Sequence, residues 1–128
     1  HPQLLALSNS KGEATFYSIL NEKFKHFPQL TGDGGLSKVQ SGNRTKVNFD
    51  VKTMTLDGFA EEHLGVKKID LIKLDTEANE HHVLTGSHKV LSEHRPIIQC
   101  EILKNQIEQE LQHILKAYDY SANTKFKI

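Results

Sequence analysis

Cysteine is nearly missing from this sequence. Cys100 is the only one, so no intramolecular disulfide can form, and the fold needs no staple or belongs to a reducing compartment. Charge imbalance is missing too. Sixteen basic residues offset sixteen acidic ones, which leaves no net field to draw the chain to nucleic acid or to an anionic membrane. No apolar run reaches the roughly 18 residues of a membrane span, and no signal peptide opens the chain. A soluble, cytoplasmic protein with neither nucleic-acid nor membrane partners is expected. The 128 residues suit a single domain with one core. His1-Pro2 is not how a translated chain normally begins, so the expectation is a portion of a longer protein.

Short apolar runs carry the organisation. Gln3 to Leu7 (QLLAL) reads as a buried strand, and Glu13 to Ile19 (EATFYSI) as a second strand paired to it through the turn at Gly12. Residues 21–45 are polar and irregular, with a glycine cluster at Gly32, Gly34 and Gly35, and read as a flexible loop or lid. Val47, Phe49, Val51 and Thr53 alternate with polar residues, the period of a half-wet strand. Leu56, Phe59, Ala60, His63 and Leu64 then recur at helical spacing, with Thr55 as N-cap and Gly65 as the stop.

Ile69 to Leu74 and Ile97 to Leu103 are the most apolar strand candidates. The helix between them is marked by Val83, Leu84, Ser87, Val90 and Leu91 and ends before Pro96. Strand, helix, strand predicts a parallel βαβ unit. A last helix, capped by Asn105, shows an apolar stripe of Ile107, Leu111, Ile114, Leu115 and Tyr118, and residues 120–128 read as a final strand. The class is α/β, a mostly parallel sheet with antiparallel additions.

The chemistry gathers where LIKLDTEANE leaves the strand. Alternation puts Lys73 and Asp75 on one face, and parallel pairing would bring Asp75 and Glu101 to one rim at the carboxyl ends of the strands, where open α/β sheets bind ligands. Glu77 and Glu80 follow in the first turns of the helix. Capping and an ion pair that satisfies a buried Lys73 would explain these residues as well. A hard-metal site built from Asp75, Glu77, Glu80 and Glu101 is a further alternative, since all four offer oxygen ligands. The histidines at 81, 82, 88 and 94 never fall at the i, i+4 spacing that puts two imidazoles on one helix face, and no metal is expected there.

TLDGF (Thr55 to Phe59), IDLIKLDTEANE, VLTGSHKVL and RPIIQCEI together resemble the FkbM-type methyltransferase family, over about Lys52 to Ile102, with LLALSNSKGEATFY similar to the segment before it. The resemblance suggests the C-terminal half of that domain. It implies a Rossmann-like methyltransferase sheet, here lacking its N-terminal strands with their glycine-rich turn and ribose-binding acid. It also implies S-adenosylmethionine as cofactor and O-methylation of a hydroxyl on a sugar or natural product. By motif position it assigns Lys73, Asp75, Glu77, Glu80 and Glu101 to the catalytic rim, and Ala6, Leu7 and Asp75 to the cofactor side. Asp75 or Glu77 would orient the acceptor hydroxyl or take its proton, with Glu101 in reserve. One departure stands out: Ala78 occupies the block's usual glycine, where a positive φ is a concern. A degenerate, non-catalytic scaffold is the rival reading. An isolated chain would be inactive and prone to self-association through the strand at Ile69 to Leu74, or would move Glu13 to Ile19 against that strand.

Overall fold

The computed structural model describes residues 3–19, 34–36, 46–65, 67–102 and 107–122. Their strands are β1 (Ala6–Leu7), β2 (Gly12–Ile19), β3 (Gly34–Gly35), β4 (Lys46–Met54), β5 (Leu71–Leu74) and β6 (Ile97–Cys100). The α-helices are α1 (Leu56–Phe59), α2 (Glu80–Thr85) and α3 (Glu108–Ala117). Helix α1 continues into a π-helical turn at Ala60–Leu64, and a second such turn spans Val90–His94.

Two sheets form. The first has four strands in the order β1-β4-β2-β3, and the second pairs β5 with β6 in parallel. Among the described residues parallel pairing is confined to β1–β4 and β5–β6, while β2 runs antiparallel to both β4 and β3. This mixed arrangement corrects the expectation of a mostly parallel sheet. It also corrects the expected pairing of the first two strands: β4 lies between them, with Ala6 opposite Thr53 on one side and Gly12 opposite the same Thr53 on the other. Two strand spacings are about 10 Å. The Ser8-to-Lys11 turn can bridge that gap, since a few extended residues reach roughly 13 Å. No described strand moves against β5, because β2 spends its edges on β4 and β3.

Local signals place most elements. Thr55 caps α1 by accepting the Gly58 N–H at 3.0 Å, and Gly65 ends the following turn at φ 58°. Arg95 ends the second π-helical turn in the left-handed region at φ 50°, and the buried Pro96 cannot prolong it. Ile107 and Leu111 bury the α3 stripe, with Ile114, Leu115 and Tyr118 packed beside them. Helix α3 starts at Glu108, with Ile107 at its N-cap; Asn105 falls outside the described residues. Residues 120–122 form no strand, and 123–128 are outside the described set.

The core lies between the β5–β6 sheet and α2 and α3. Leu74, Val83, Leu84, Leu91, Ile107 and Leu111 make its main cluster, and Leu56, Ala60 and Val90 a second one that shares Leu7 and Ile72. The TLDGF and VLTG segments turn out to clasp one another. Asp57 accepts the Lys89 and Val90 N–H groups at 2.9 Å each, so it caps the helical segment after Gly86 from a distance. Its own N–H donates to the Gly86 carbonyl at 3.1 Å. Gly86 leaves no room for a side chain, because a Cβ there would lie 2.4 Å from the Ser8 carbonyl oxygen.

Candidate functional site

Strands β5 and β6 pair in register, Leu71 opposite Ile97 through Leu74 opposite Cys100, and the Glu101 N–H closes the ladder on the Leu74 carbonyl at 3.0 Å. Asp75 and Glu101 therefore leave the sheet side by side. Even-numbered residues of β5 face the helices, with Leu74 buried and Ile72 packed in both clusters. Odd-numbered residues face the other way. Lys73 lies on that open face with its side chain 63% exposed, so it is not the buried ammonium that an apolar strand suggests. Its partner is Asp75, at 2.8 Å.

Three carboxylates converge. Asp75, Glu77 and Glu101 each offer an oxygen, and these oxygens lie within 4.8 Å of one another. A hydrogen bond from Lys73, and a second from Glu101, hold Asp75 below the usual carboxylate range. The hydrogen bond to Asp75 and the repulsion between the two charges push Glu101 above that range. The two carboxylates are thus coupled, with proton affinity lowered at Asp75 and raised at Glu101.

The sign of the pH effect follows. Stability from the depressed Asp75 is present above its ordinary pKa and lost as pH falls through the folded value. Stability from the raised Glu101 is present at low pH and lost as pH rises through its folded value. Both groups meet solvent, so screening keeps these contributions small. A carbon-detected NMR titration should show Glu101 releasing its proton above, and Asp75 below, the normal carboxylate range, and Lys73→Met should move Asp75 upward. Two ordinary, independent titrations would contradict the coupling.

Glu80 belongs underneath the rim. It is 1% exposed, and its Oε1 accepts both the Thr76 N–H, at 2.6 Å, and the Thr76 hydroxyl, at 2.9 Å. It anchors the turn between Asp75 and Glu77 and is not one of the three converging carboxylates. Thr76 is consequently not the helix cap; that position is Asn79, whose side-chain amide donates to the Leu7 carbonyl at 3.2 Å. Through this bond the carboxyl end of β1 joins the acidic turn. Leu7, assigned by resemblance to the cofactor side, is thereby brought to the rim, while Ala6 lies one residue back, opposite Thr53.

The turn itself is left-handed at two successive residues, Glu77 at φ 53° and Ala78 at φ 70°. Ala78, where the resemblance led to an expected glycine, does sit where alanine is disfavoured, by about 1–2 kcal/mol. Glycine would relieve that, but its greater unfolded-chain entropy costs roughly 0.5–1 kcal/mol, and the lost methyl burial up to about 0.8 kcal/mol. These terms nearly cancel. Ala78→Gly should change stability by less than about 1 kcal/mol in denaturant unfolding, whereas Ala78→Val, β-branched in the same conformation, should cost roughly 2 kcal/mol or more.

Gly35 is a neighbour that sequence reasoning missed. A Cβ on it would meet the Thr76 carbonyl oxygen at 3.1 Å and the Glu77 Cβ at 3.2 Å, so β3 rests directly on the acidic turn. A glycine pair inside a polar loop was its only signal. Apart from residues 34–36, the loop read as a lid at 21–45 lies outside the described set. Behind the rim, burial, with Glu80, Glu101 and Asp75 adding, pushes the Cys100 thiol up to about 11. It stays protonated and unreactive at neutral pH.

An acidic rim at the carboxyl ends of parallel strands, in a mixed α/β domain, lies where open α/β sheets bind ligands. The model of the methyltransferase FkbM domain matches residues 2–124, and the chain belongs to that family. The match covers nearly the whole chain, well beyond the stretch from Lys52 to Ile102 that carries most of the motifs. No curated protein and no solved structure matches. No helix among the described residues is long and apolar enough to cross a membrane.

Proposed function

We propose that this chain serves an S-adenosylmethionine-dependent O-methyltransferase with a Rossmann-like sheet, acting on a hydroxyl of a sugar or natural product in a reducing, cytoplasmic setting. The observation that carries the reading is the side-by-side placement of Asp75 and Glu101 at the carboxyl ends of β5 and β6, with Lys73 bonded to Asp75. The residues present fit one side of the cofactor. The end of β1, with half-buried Ala6 and Leu7, offers apolar surface beside the acidic turn, and Asp75 offers oxygen acceptors to polar groups. S-adenosylmethionine supplies an electrophilic methyl group.

The side chains then divide the work. Lys73 keeps Asp75 ionised, which suits it to accept a hydrogen bond from the acceptor hydroxyl and fix its direction. Glu101, with its raised affinity for protons, is the better general base near neutral pH and takes the hydroxyl proton. This assignment reverses the order read from the sequence, where Glu101 was the reserve. Glu80 and Gly35 hold the turn that carries Glu77.

Two other readings have support. Positive φ at Ala78, at the family's glycine, favours a degenerate scaffold. The convergence of Asp75, Glu77 and Glu101 favours a hard divalent cation, without Glu80. The bond from Lys73 to Asp75 already supplies compensating charge, which weighs against the cation. Incubating the full-length protein with S-adenosylmethionine carrying a labelled methyl group and a panel of sugars and hydroxylated natural products tests all three. Label in an acceptor oxygen ether supports the proposal. Bound but untransferred label supports the scaffold, and transfer that needs added magnesium or calcium supports the metal site.

A further inference from the structure

The open face of the β5–β6 sheet changes its chemistry along the strands. Odd-numbered residues of both strands share this face, and the parallel register sets them out in pairs. Leu71 stands opposite Ile97 at the amino end, where the two are 60% and 73% exposed. Lys73 and Gln99, both exposed, form the next pair, and Asp75 and Glu101 close the series at the rim. Each step of two residues covers about 7 Å, so roughly 13 Å separates the apolar pair from the acids.

The order of the pairs restricts what can lie along them. At the rim the proposed reaction places a hydroxyl. One step back, Lys73 commits an N–H to Asp75 and has others to give, and the Gln99 amide can both donate and accept. These groups suit ether and hydroxyl oxygens. A further step back the face is hydrocarbon. A free sugar would leave Leu71 and Ile97 in water, and a wholly apolar natural product would strip water from Lys73 and Gln99 without replacing its hydrogen bonds. A sugar with an apolar substituent satisfies all three pairs, since a step of about 7 Å has room for one sugar ring. We propose that the acceptor is a glycoside with an apolar aglycone, its sugar hydroxyl at Asp75 and Glu101, its ring oxygens at Lys73 and Gln99, and its aglycone on Leu71 and Ile97. The place of the hydroxyl rests on the methyltransferase reading; the binding preference is measurable without it.

Calorimetry on the full-length protein, comparing octyl β-glucoside below its micellar concentration with methyl β-glucoside, is the test, together with transfer of labelled methyl to each. The octyl compound should bind about 10-fold more tightly, which burial of roughly 60 Å² of apolar surface accounts for. Leu71→Ser/Ile97→Ser should bring the two affinities together, and because both side chains are exposed, circular dichroism should show native folding. Gln99→Ala should weaken both glycosides alike. Equal affinities in the wild type, as when another segment covers this face, overturn the proposal. So do binding of neither glycoside, an octyl preference that survives the double variant, and unchanged affinities in Gln99→Ala. Failure of the methyltransferase reading looks different: the octyl preference and its loss in the double variant remain, but no label reaches either glycoside.

Discussion

Gly86→Ala should destabilise the domain by about 3 kcal/mol, among the larger effects expected of a single methyl group. The cause is local and rigid. A Cβ at this position falls 2.4 Å from the Ser8 carbonyl oxygen and 3.1 Å from both Thr55 Cβ and Cγ2. None of these is the far end of a long side chain. Ser8 is held by its own N–H on the Met54 carbonyl at 2.9 Å, and Thr55 by its cap on Gly58. Relief therefore requires the end of β1 to move away from α2, which also strains the Asn79 bond to Leu7 and the Asp57 bond to Gly86. For a domain of this size the melting temperature should fall by roughly 10 °C. Gly12→Ala makes a useful control: a Cβ there would meet only the Thr53 Oγ1, at an ordinary 3.8 Å, so the cost should be under about 1 kcal/mol. Equal effects of the two substitutions would show that the close approach at Gly86 is unimportant.

On the chemistry, Glu101→Gln should lower methyl-transfer turnover by about 10²–10⁴-fold, the range that a positioned general base contributes. Stability should hardly change, because the side chain is exposed. Asp75→Asn should cost less in turnover, since an amide oxygen still accepts a hydrogen bond from the hydroxyl although it loses Lys73 as an ion partner. Glu80→Gln has a different signature. Its amide retains one oxygen for Thr76, but in place of the other carboxylate oxygen it brings an amino group into a buried site. That change should appear in stability first and in turnover only through a displaced turn. A Glu101→Gln variant with wild-type turnover would remove this residue from the mechanism.

Much of this was legible in the sequence. The parity of Lys73, Asp75 and Glu101 follows from strand alternation alone, and the parallel register then fixes Asp75 beside Glu101. The Thr55 cap, the Gly65 stop and the α3 stripe are local signals of the same kind. What could not be read were the contacts made by distant segments. Nothing around Asp57 reveals that it caps residues 89 and 90, and nothing around Gly35 reveals the turn at Thr76. The insertion of β4 between β1 and β2 was hidden because a turn signal at Ser8 to Lys11 says where the chain reverses and not how many strands it steps over. Glu80 misled for a further reason. In the sequence it is one more acid in an acidic cluster, and only its burial beneath Thr76 separates anchoring from chemistry.

The most direct measurement is the pH dependence of kcat/KM for methyl transfer by the full-length protein, wild type against Glu101→Gln, with S-adenosylmethionine saturating. If Glu101 is the base, the wild-type rate rises with pH through a single ionisation above the ordinary carboxylate range, and the variant loses that limb along with most of its rate. An identical rising limb in the variant would contradict the assignment, because the titrating group would then lie elsewhere.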